Sequence, residues 1–257
     1  MTKPVDSDPS AVHAPHGTLS EYYKEEKDRP RFVRRVFDET AEDYDRIERM
    51  MALGSGPRYR RRALARAGLA PDMDVLDVAV GTGLVAREAA ALVGDARRVI
   101  GVDASIGMLR SAARPRDIVV VQGMAESLPC FANRFDFLTL GFALRHLSDL
   151  SLAFAEFHRV LRPGGTVCLL EITMPKGPTL RRVLKTYMRR IVPFLARFVG
   201  SRRDTAHLFE YYWDTIEACV SPDSVIAALR HAGFNDVKRF VEAGIFSEYT
   251  GRKGRAG

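Results

Sequence analysis

The sequence predicts an α/β protein built on a doubly wound, mostly parallel, seven-stranded sheet. Three observations carry this expectation. Short, nearly continuous apolar runs alternate with helix-patterned segments from residue 74 onward, as expected of parallel strands buried on both faces. The first run passes through Ala79-Val80-Gly81-Thr82-Gly83 into an alanine-rich helix. The second ends in an acid, Asp103, 20 residues after Gly83. Together these give the Rossmann-like order of strand, glycine turn, helix, strand and acid.

Each element follows in turn. Residues 1–20 contain three prolines and two histidines among small polar residues and are expected to form a disordered arm. Residues 21–257 are expected to form a single domain, with 21–70 as a helical cap. Within that cap FVRRVFDETAEDYDRI and RYRRRALARA flank a turn at Gly54-Ser55-Gly56-Pro57. Strands are expected at 74–80, 97–103, 117–123, 135–142 and 165–173, with helices at 84–93, 105–113 and 150–161. Residues 174–219 break the alternation as a helical insertion placed to act as a lid. A capped helix over 221–233 and two closing strands, NDVKRFVEA and GIFSEYTGRK, complete the sheet.

The composition narrows the function classes. The chain has 257 residues, 46% of them hydrophobic, and a net charge of +7, which excludes wholesale disorder and a disulfide scaffold. Cys130, Cys168 and Cys219 lie far apart without metal-ligand spacing, so no metal site is expected. The N-terminus has no apolar leader and no run of about 18 apolar residues occurs. A cytoplasmic protein is expected, peripheral at the inner face of the membrane. The charge is localised. Residues 58–66 carry five arginines and residues 180–199 carry six cations; these 11 charges leave a net of −4 for the rest. In 180–199 the apolar residues recur at helical spacing opposite most of the cations, with Pro193 expected to kink the helix. Such a helix suits an anionic membrane surface, while the scarcity of interleaved aromatics argues against nucleic acid. The sequence leaves room for a homodimer.

The glycine turn fits two ligand classes, a dinucleotide or S-adenosyl-L-methionine. A dinucleotide fingerprint has three glycines for its pyrophosphate; here position 79 is alanine. The third strand then ends in Gln122-Gly123-Met124-Ala125-Glu126-Ser127-Leu128-Pro129, followed by Arg134-Phe135-Asp136-Phe137 and Arg159-Val160-Leu161-Arg162-Pro163-Gly164-Gly165. With these five blocks in order, the chain resembles a class I S-adenosylmethionine-dependent methyltransferase. VFDETAEDYDRIERMMALG (36–54), GFALRHLSD (141–149), LEITMPKGP (170–178) and YYWDTIEACVSPDSVIAALRHAGFNDV (211–237) further resemble the ubiquinone/menaquinone biosynthesis C-methyltransferases. That resemblance spans roughly residues 32–253. It implies a Rossmann-like fold, S-adenosyl-L-methionine as methyl donor, S-adenosyl-L-homocysteine as product, and methyl transfer to a ring carbon of a prenylated quinol precursor.

Matched by motif, Thr82, Asp103, Met124, Ala125 and Gly141 correspond to the family's cofactor positions, and Asp77, Ala79, Gly81, Gly83, Ala104, Met108, Glu126 and Phe142 surround them. His146 is expected as base or hydrogen-bond partner of a phenolic acceptor and Arg145 as the group stabilising its anion. Tyr44, Tyr211 and Tyr212 are expected toward the acceptor. Three positions depart from the family pattern: Val80 replaces a glycine, Met124 stands where Asn or Asp is usual, and His146 replaces an asparagine. These departures motivate the alternative of an O- or N-methyltransferase acting on a specialised small molecule.

Overall fold

The computed structural model describes residues 14–111, 117–194 and 205–255. Two helices lead the chain, α1 (Arg29–Met51) and α2 (Gly56–Arg66), each with a proline in its first turn, where the missing N–H costs nothing. The alternating layer follows as β1 (Val75–Val78), α3 (Leu84–Val93), β2 (Val99–Asp103), α4 (Ile106–Ser111), β3 (Val119–Gln122), β4 (Phe135–Gly141), α5 (Leu150–Val160) and β5 (Leu161–Ile172). After the insertion come α8 (Pro222–His231), β6 (Phe234–Glu242) and β7 (Phe246–Lys253).

The sheet has seven strands in the order β3-β2-β1-β4-β5-β7-β6. Strands β1 to β5 run parallel and β7 runs antiparallel to both β5 and β6. The order reverses at β1, between β2 and β4, so the crevice of a doubly wound sheet falls at the carboxyl ends of β1 and β4. One core cluster joins Leu76, Leu138 and Leu140 to α5 and α8; another joins Val75, Phe137 and Cys168 to α2 and α3. A third, with Ile47, Met188 and Trp213, welds α1 to the insertion.

Three expectations change. β5 begins at Leu161, before residue 165, because the Arg162-Pro163-Gly164-Gly165 turn is absorbed as a register shift between Phe135 and Phe137, with Gly164 at φ 85°. Of the expected arm, residues 1–13 lie outside the described residues, whereas 14–20 pack on the domain. There His16 is buried, its carbonyl accepts a 2.7 Å hydrogen bond from Arg29, and Pro15 O accepts one of 2.7 Å from Val220 N–H. The insertion comprises α6 (Pro178–Thr186), a π-helical turn (Tyr187–Ile191) and α7 (Thr205–Ala218). Residues 195–204, including Arg197, lie outside the described residues. The break near Pro193 takes the form of that wider turn: Val192 N–H reaches back to Tyr187 O, one residue further than in an α-helix.

Candidate active site

The end of β1 turns sharply. Ala79, Gly81 and Gly83 have φ of 51°, 54° and 89°, a left-handed series that lifts the backbone over the sheet edge. Val80 points away from the crevice. A Cβ on Gly101 of β2 would lie 2.8 Å from its methyl groups. The valine that replaces a glycine is thus housed by a glycine on the next strand, and the crevice stays open.

Asp103, at the end of β2, is oriented by the backbone. Its Oδ2 accepts Gly81 N–H at 2.7 Å and its Oδ1 accepts Ser105 N–H at 2.8 Å. Burial raises its pKa while these N–H bonds oppose the shift. Each oxygen keeps a lone pair for a ribose diol. Ala104, Ser105 and Met108 continue this wall, and Gly123, Met124, Ala125 and Glu126 form the next. Glu126 is already engaged: its Oε1 accepts the Ser148 and Asp149 N–H groups at 2.6 and 3.3 Å, tying the loop after β3 to the loop after β4.

Helix α1 closes the crevice. Pro30, Val33, Arg34, Phe37 and Tyr44 present one helical face to it, and Arg34 donates to the Met124 sulfur at 3.7 Å. Asp38 accepts from Ser105 Oγ at 2.5 Å and from Gly107 N–H at 2.8 Å. The Thr82 hydroxyl donates to Asp45. The cleft encloses about 810 Å³, its open mouth included, within the range of ligand sites.

The acceptor end lies past β4. Gly141 lets the strand pass α3, since a Cβ there would meet Val85 Cγ2 at 2.5 Å. Phe142 follows at φ 60°, and a single turn, Leu144–His146, carries the histidine. Phe142, Ala143, His146 and Leu147 line the cleft. His146 Nδ1 is 3.2 Å from Tyr211 Oη, and its ring stacks on Tyr211 at 5.4 Å and meets the Phe37 ring edge-on at 5.2 Å. Its Nε2 is buried without a hydrogen-bond partner. Burial, then the neighbouring Arg145 charge, hold its pKa well below the usual histidine value.

Several expected site residues fall elsewhere. Arg145 does not face the cleft: at 4% exposure it donates to Glu171 at 2.5 Å, Phe142 O at 2.9 Å and Thr215 Oγ1 at 3.2 Å. A guanidinium so fully engaged anchors the His146 turn and is not offered to an acceptor anion. Tyr211 and Tyr212 stand behind His146 outside the cleft lining, because α7 packs its aromatic face inward. Thr82 and Gly83 serve the loop and the start of α3, and Asp77 lies beneath the loop with both carboxylate oxygens buried and unpartnered. Burial pushes the Asp77 pKa well above the carboxylate range. Sequence reasoning missed Pro30, Val33, Arg34 and Phe37, whose spacing places them on one face of α1.

The donor set fits S-adenosylmethionine. Asp103 is poised for a ribose diol, Met108 and Met124 offer a polarisable slot for an aromatic base, and the orphaned Asp77 carboxylate lacks the counter-charge that an ammonium would provide. Fold and site thus define a class I S-adenosylmethionine-dependent methyltransferase. Residues 22–253 match the model of the ubiE/COQ5 methyltransferase family. A demethylmenaquinone methyltransferase of Symbiobacterium thermophilum is 33% identical over 241 residues, 90% of this chain and 96% of its own length. A ubiquinone/menaquinone biosynthesis C-methyltransferase of Syntrophotalea carbinolica is 34% identical over 225 residues, 85% and 93% of the two chains. The chain belongs to the ubiE/COQ5 methyltransferase family. Among solved structures, a methyltransferase from Thermotoga maritima superposes with a TM-score of 0.60 at 20% identity, covering 86% of this chain and 99% of that one. The [4+2]-cyclase SpnF shares the fold at a TM-score of 0.57 and 19% identity, covering 78% and 81%; the fold alone does not set the reaction.

Proposed function

We propose that this enzyme methylates a ring carbon of a lipophilic phenol or quinol, a prenylated quinone precursor, with His146 as the base. The observation that carries this reading is His146 Nε2, buried and unpartnered in the wall of a largely apolar cleft beside the cofactor loop. With the ring proton on Nδ1 and directed at Tyr211 Oη, Nε2 presents a lone pair. It takes the phenolic proton, and the resulting phenolate pushes electron density onto the ring carbon that attacks. When bound, S-adenosylmethionine supplies a methyl group already activated by its sulfonium charge. The displaced ring proton then leaves to water, and His146 returns its proton to the oxygen. Phe37, Phe142 and Leu147 hold the aromatic acceptor in place.

The insertion supports access from a membrane. Leu180, Val183, Ile191 and Phe194 are exposed, Val183 and Phe194 by 58% and 55%, at spacings that keep them near one face. Arg182, Lys185 and Arg190 are exposed beside them. Arg181 and Arg189 pair with Glu217 and Asp214 of α7, which fastens this surface to the domain. No helix among the described residues is long and apolar enough to cross a membrane.

The test is product analysis. With methyl-labelled S-adenosylmethionine and demethylmenaquinol in anionic vesicles, the expected product carries an aryl-methyl carbon by NMR. An O-methyl or N-methyl product overturns the reading. Sedimentation with anionic vesicles, weakened by Leu180→Asp/Val183→Asp and by salt, checks the route of access.

A further inference from the structure

We propose that Arg29 of α1 is a positioning residue for the methyl transfer, clamping residues 14–28 and the loop after β4 together behind the His146–Tyr211 pair. The proposal rests on the reading of His146 given above. Arg29 is 1% exposed, and all three of its guanidinium nitrogens are committed. Nε donates to the Tyr23 hydroxyl at 3.1 Å and Nη2 to the His16 carbonyl at 2.7 Å. Nη2 also pairs with Glu26 at 2.6 Å. Nη1 reaches across to the carbonyl of Leu147, the residue after His146, at 3.3 Å. Three of these partners belong to the segment before α1, and the fourth adjoins the turn that carries the base. A rigid fork with donors on several edges suits such a junction, whereas an ammonium offers one compact point of attachment.

The segment held in this way packs on Tyr211. The Tyr22 ring meets the Tyr211 ring edge-on at 5.2 Å, and the Tyr22 hydroxyl donates to Asp214 of the same helix at 2.7 Å. Phe32, in the first turn of α1, meets Tyr211 edge-on at 5.3 Å. Tyr211 in turn stacks on His146. Arg29 thus fixes one member of the pair through Leu147, and Tyr22 and Phe32 fix the other. Arg29 also acts on His146 through its charge. The charged and titratable groups around the His146 ring are Arg145 of its own turn, His16 before α1, Arg29, and the phenols of Tyr211 and Tyr212 from α7. Burial lowers the His146 pKa most, and Arg145, His16 and Arg29 each add to that. In sequence Arg29 ends a run of charge, KEEKDR over 24–29, with the look of a solvated stretch. In the fold residues 24–28 are exposed and Arg29 alone of that run is buried.

Steady-state kinetics with demethylmenaquinol in vesicles, from about pH 5 to 8, separate this role from a structural one. Arg29→Met is expected to lower kcat about 10- to 100-fold while calorimetric affinity for S-adenosylmethionine stays within about twofold. It should also move the acidic limb of the kcat profile to higher pH, by up to about one unit. Arg29→Lys keeps the charge and loses the fork, so kcat should fall by a smaller factor and the limb should stay in place. Tyr22→Ala should lower kcat about 3- to 10-fold with the limb unmoved. In a His146→Asn background, Arg29→Met should cost little more, since both changes act through one group. Native kcat in Arg29→Met overturns the proposal, as does a fall in kcat matched by an equal fall in cofactor affinity. Should Arg29→Met fail to fold, native kcat in both Arg29→Lys and Tyr22→Ala overturns it. If His146→Asn itself keeps the native rate, the base assignment falls and the clamp with it. If His146→Asn is slow and Arg29→Met is not, only the clamp falls.

Discussion

The Nδ1 of His146 lies 3.2 Å from the hydroxyl oxygen of Tyr211, which leaves Nε2 as the ring nitrogen without a partner. Tyr211 sits on α7 of the insertion and His146 on the turn after β4. The insertion therefore orients the His146 ring. His146→Asn is expected to lower kcat by about 10²- to 10⁴-fold with cofactor affinity unchanged, and Tyr211→Phe to lower it less. Wild-type rates on the true acceptor in both variants would remove His146 from the mechanism. Because its pKa is held well below 6.5, the rate should stay level as the pH falls through that value.

The same shift makes His146 an acid-stability group. Its folded-state pKa is depressed, so below pH 6.5 the unfolded chain gains a proton that the folded chain refuses. Stability is expected to fall with decreasing pH in that window, by at most about 1.4 kcal/mol per pH unit from this group. Melting curves of His146→Asn should lose that component.

Asp77 has the opposite sign. Its folded pKa is raised, so the folded chain retains a proton that the unfolded chain releases above pH 3.8, and stability drops as pH rises toward the folded value. Asp77→Asn should melt higher than the native protein by a margin that widens as the pH rises above about 4. It should also bind S-adenosylmethionine more weakly. Cofactor binding to the native protein should release a proton, read as a heat that depends on the buffer's ionisation enthalpy.

Arg145 and Glu171 form a buried pair at 5% and 1% side-chain exposure. Arg145→Ala strands the Glu171 charge and is expected to cost about 3–5 kcal/mol in denaturant unfolding. Arg145→Met/Glu171→Leu should recover much of that stability. Retained turnover in the recovered double variant would confirm a supporting role for Arg145; turnover lost at full stability would return it to the chemistry.

Val80 and Gly101 should behave as a coupled pair. Gly101→Ala places a Cβ 2.8 Å from the Val80 methyl groups and should destabilise by about 1–3 kcal/mol. Val80→Gly/Gly101→Ala should relieve the strain, giving a favourable coupling in a double-mutant cycle. Additive effects would mean that the valine is not housed there.

The sheet was legible because a parallel strand buried on both faces is nearly continuously apolar; Val75–Val78 and Phe135–Gly141 stand out although each carries one acid, Asp77 and Asp136. The cofactor loop was legible for a related reason. Left-handed turns demand small residues, and the acid at the end of β2 stands at a distance set by one crossover helix. Arg60 and Arg145 were misplaced because a charged residue in a sequence carries no record of its partner. Glu48 and Glu171 lie 12 and 26 residues away and meet these arginines only in the fold.

The sequence by itself determined the alternation of strands and helices, the glycine turn with its acid, and the position of His146 just past the fourth strand, since local periodicity and spacing encode each of them. Only the tertiary structure decided which way the side chains face. It turned Arg145 inward onto Glu171, set His146 Nδ1 beside a tyrosine 65 residues away, and left Nε and Nη1 of Arg60 and both oxygens of Asp77 buried without partners. Burial and hydrogen-bond satisfaction are properties of what surrounds a group, and those surroundings come from distant parts of the chain.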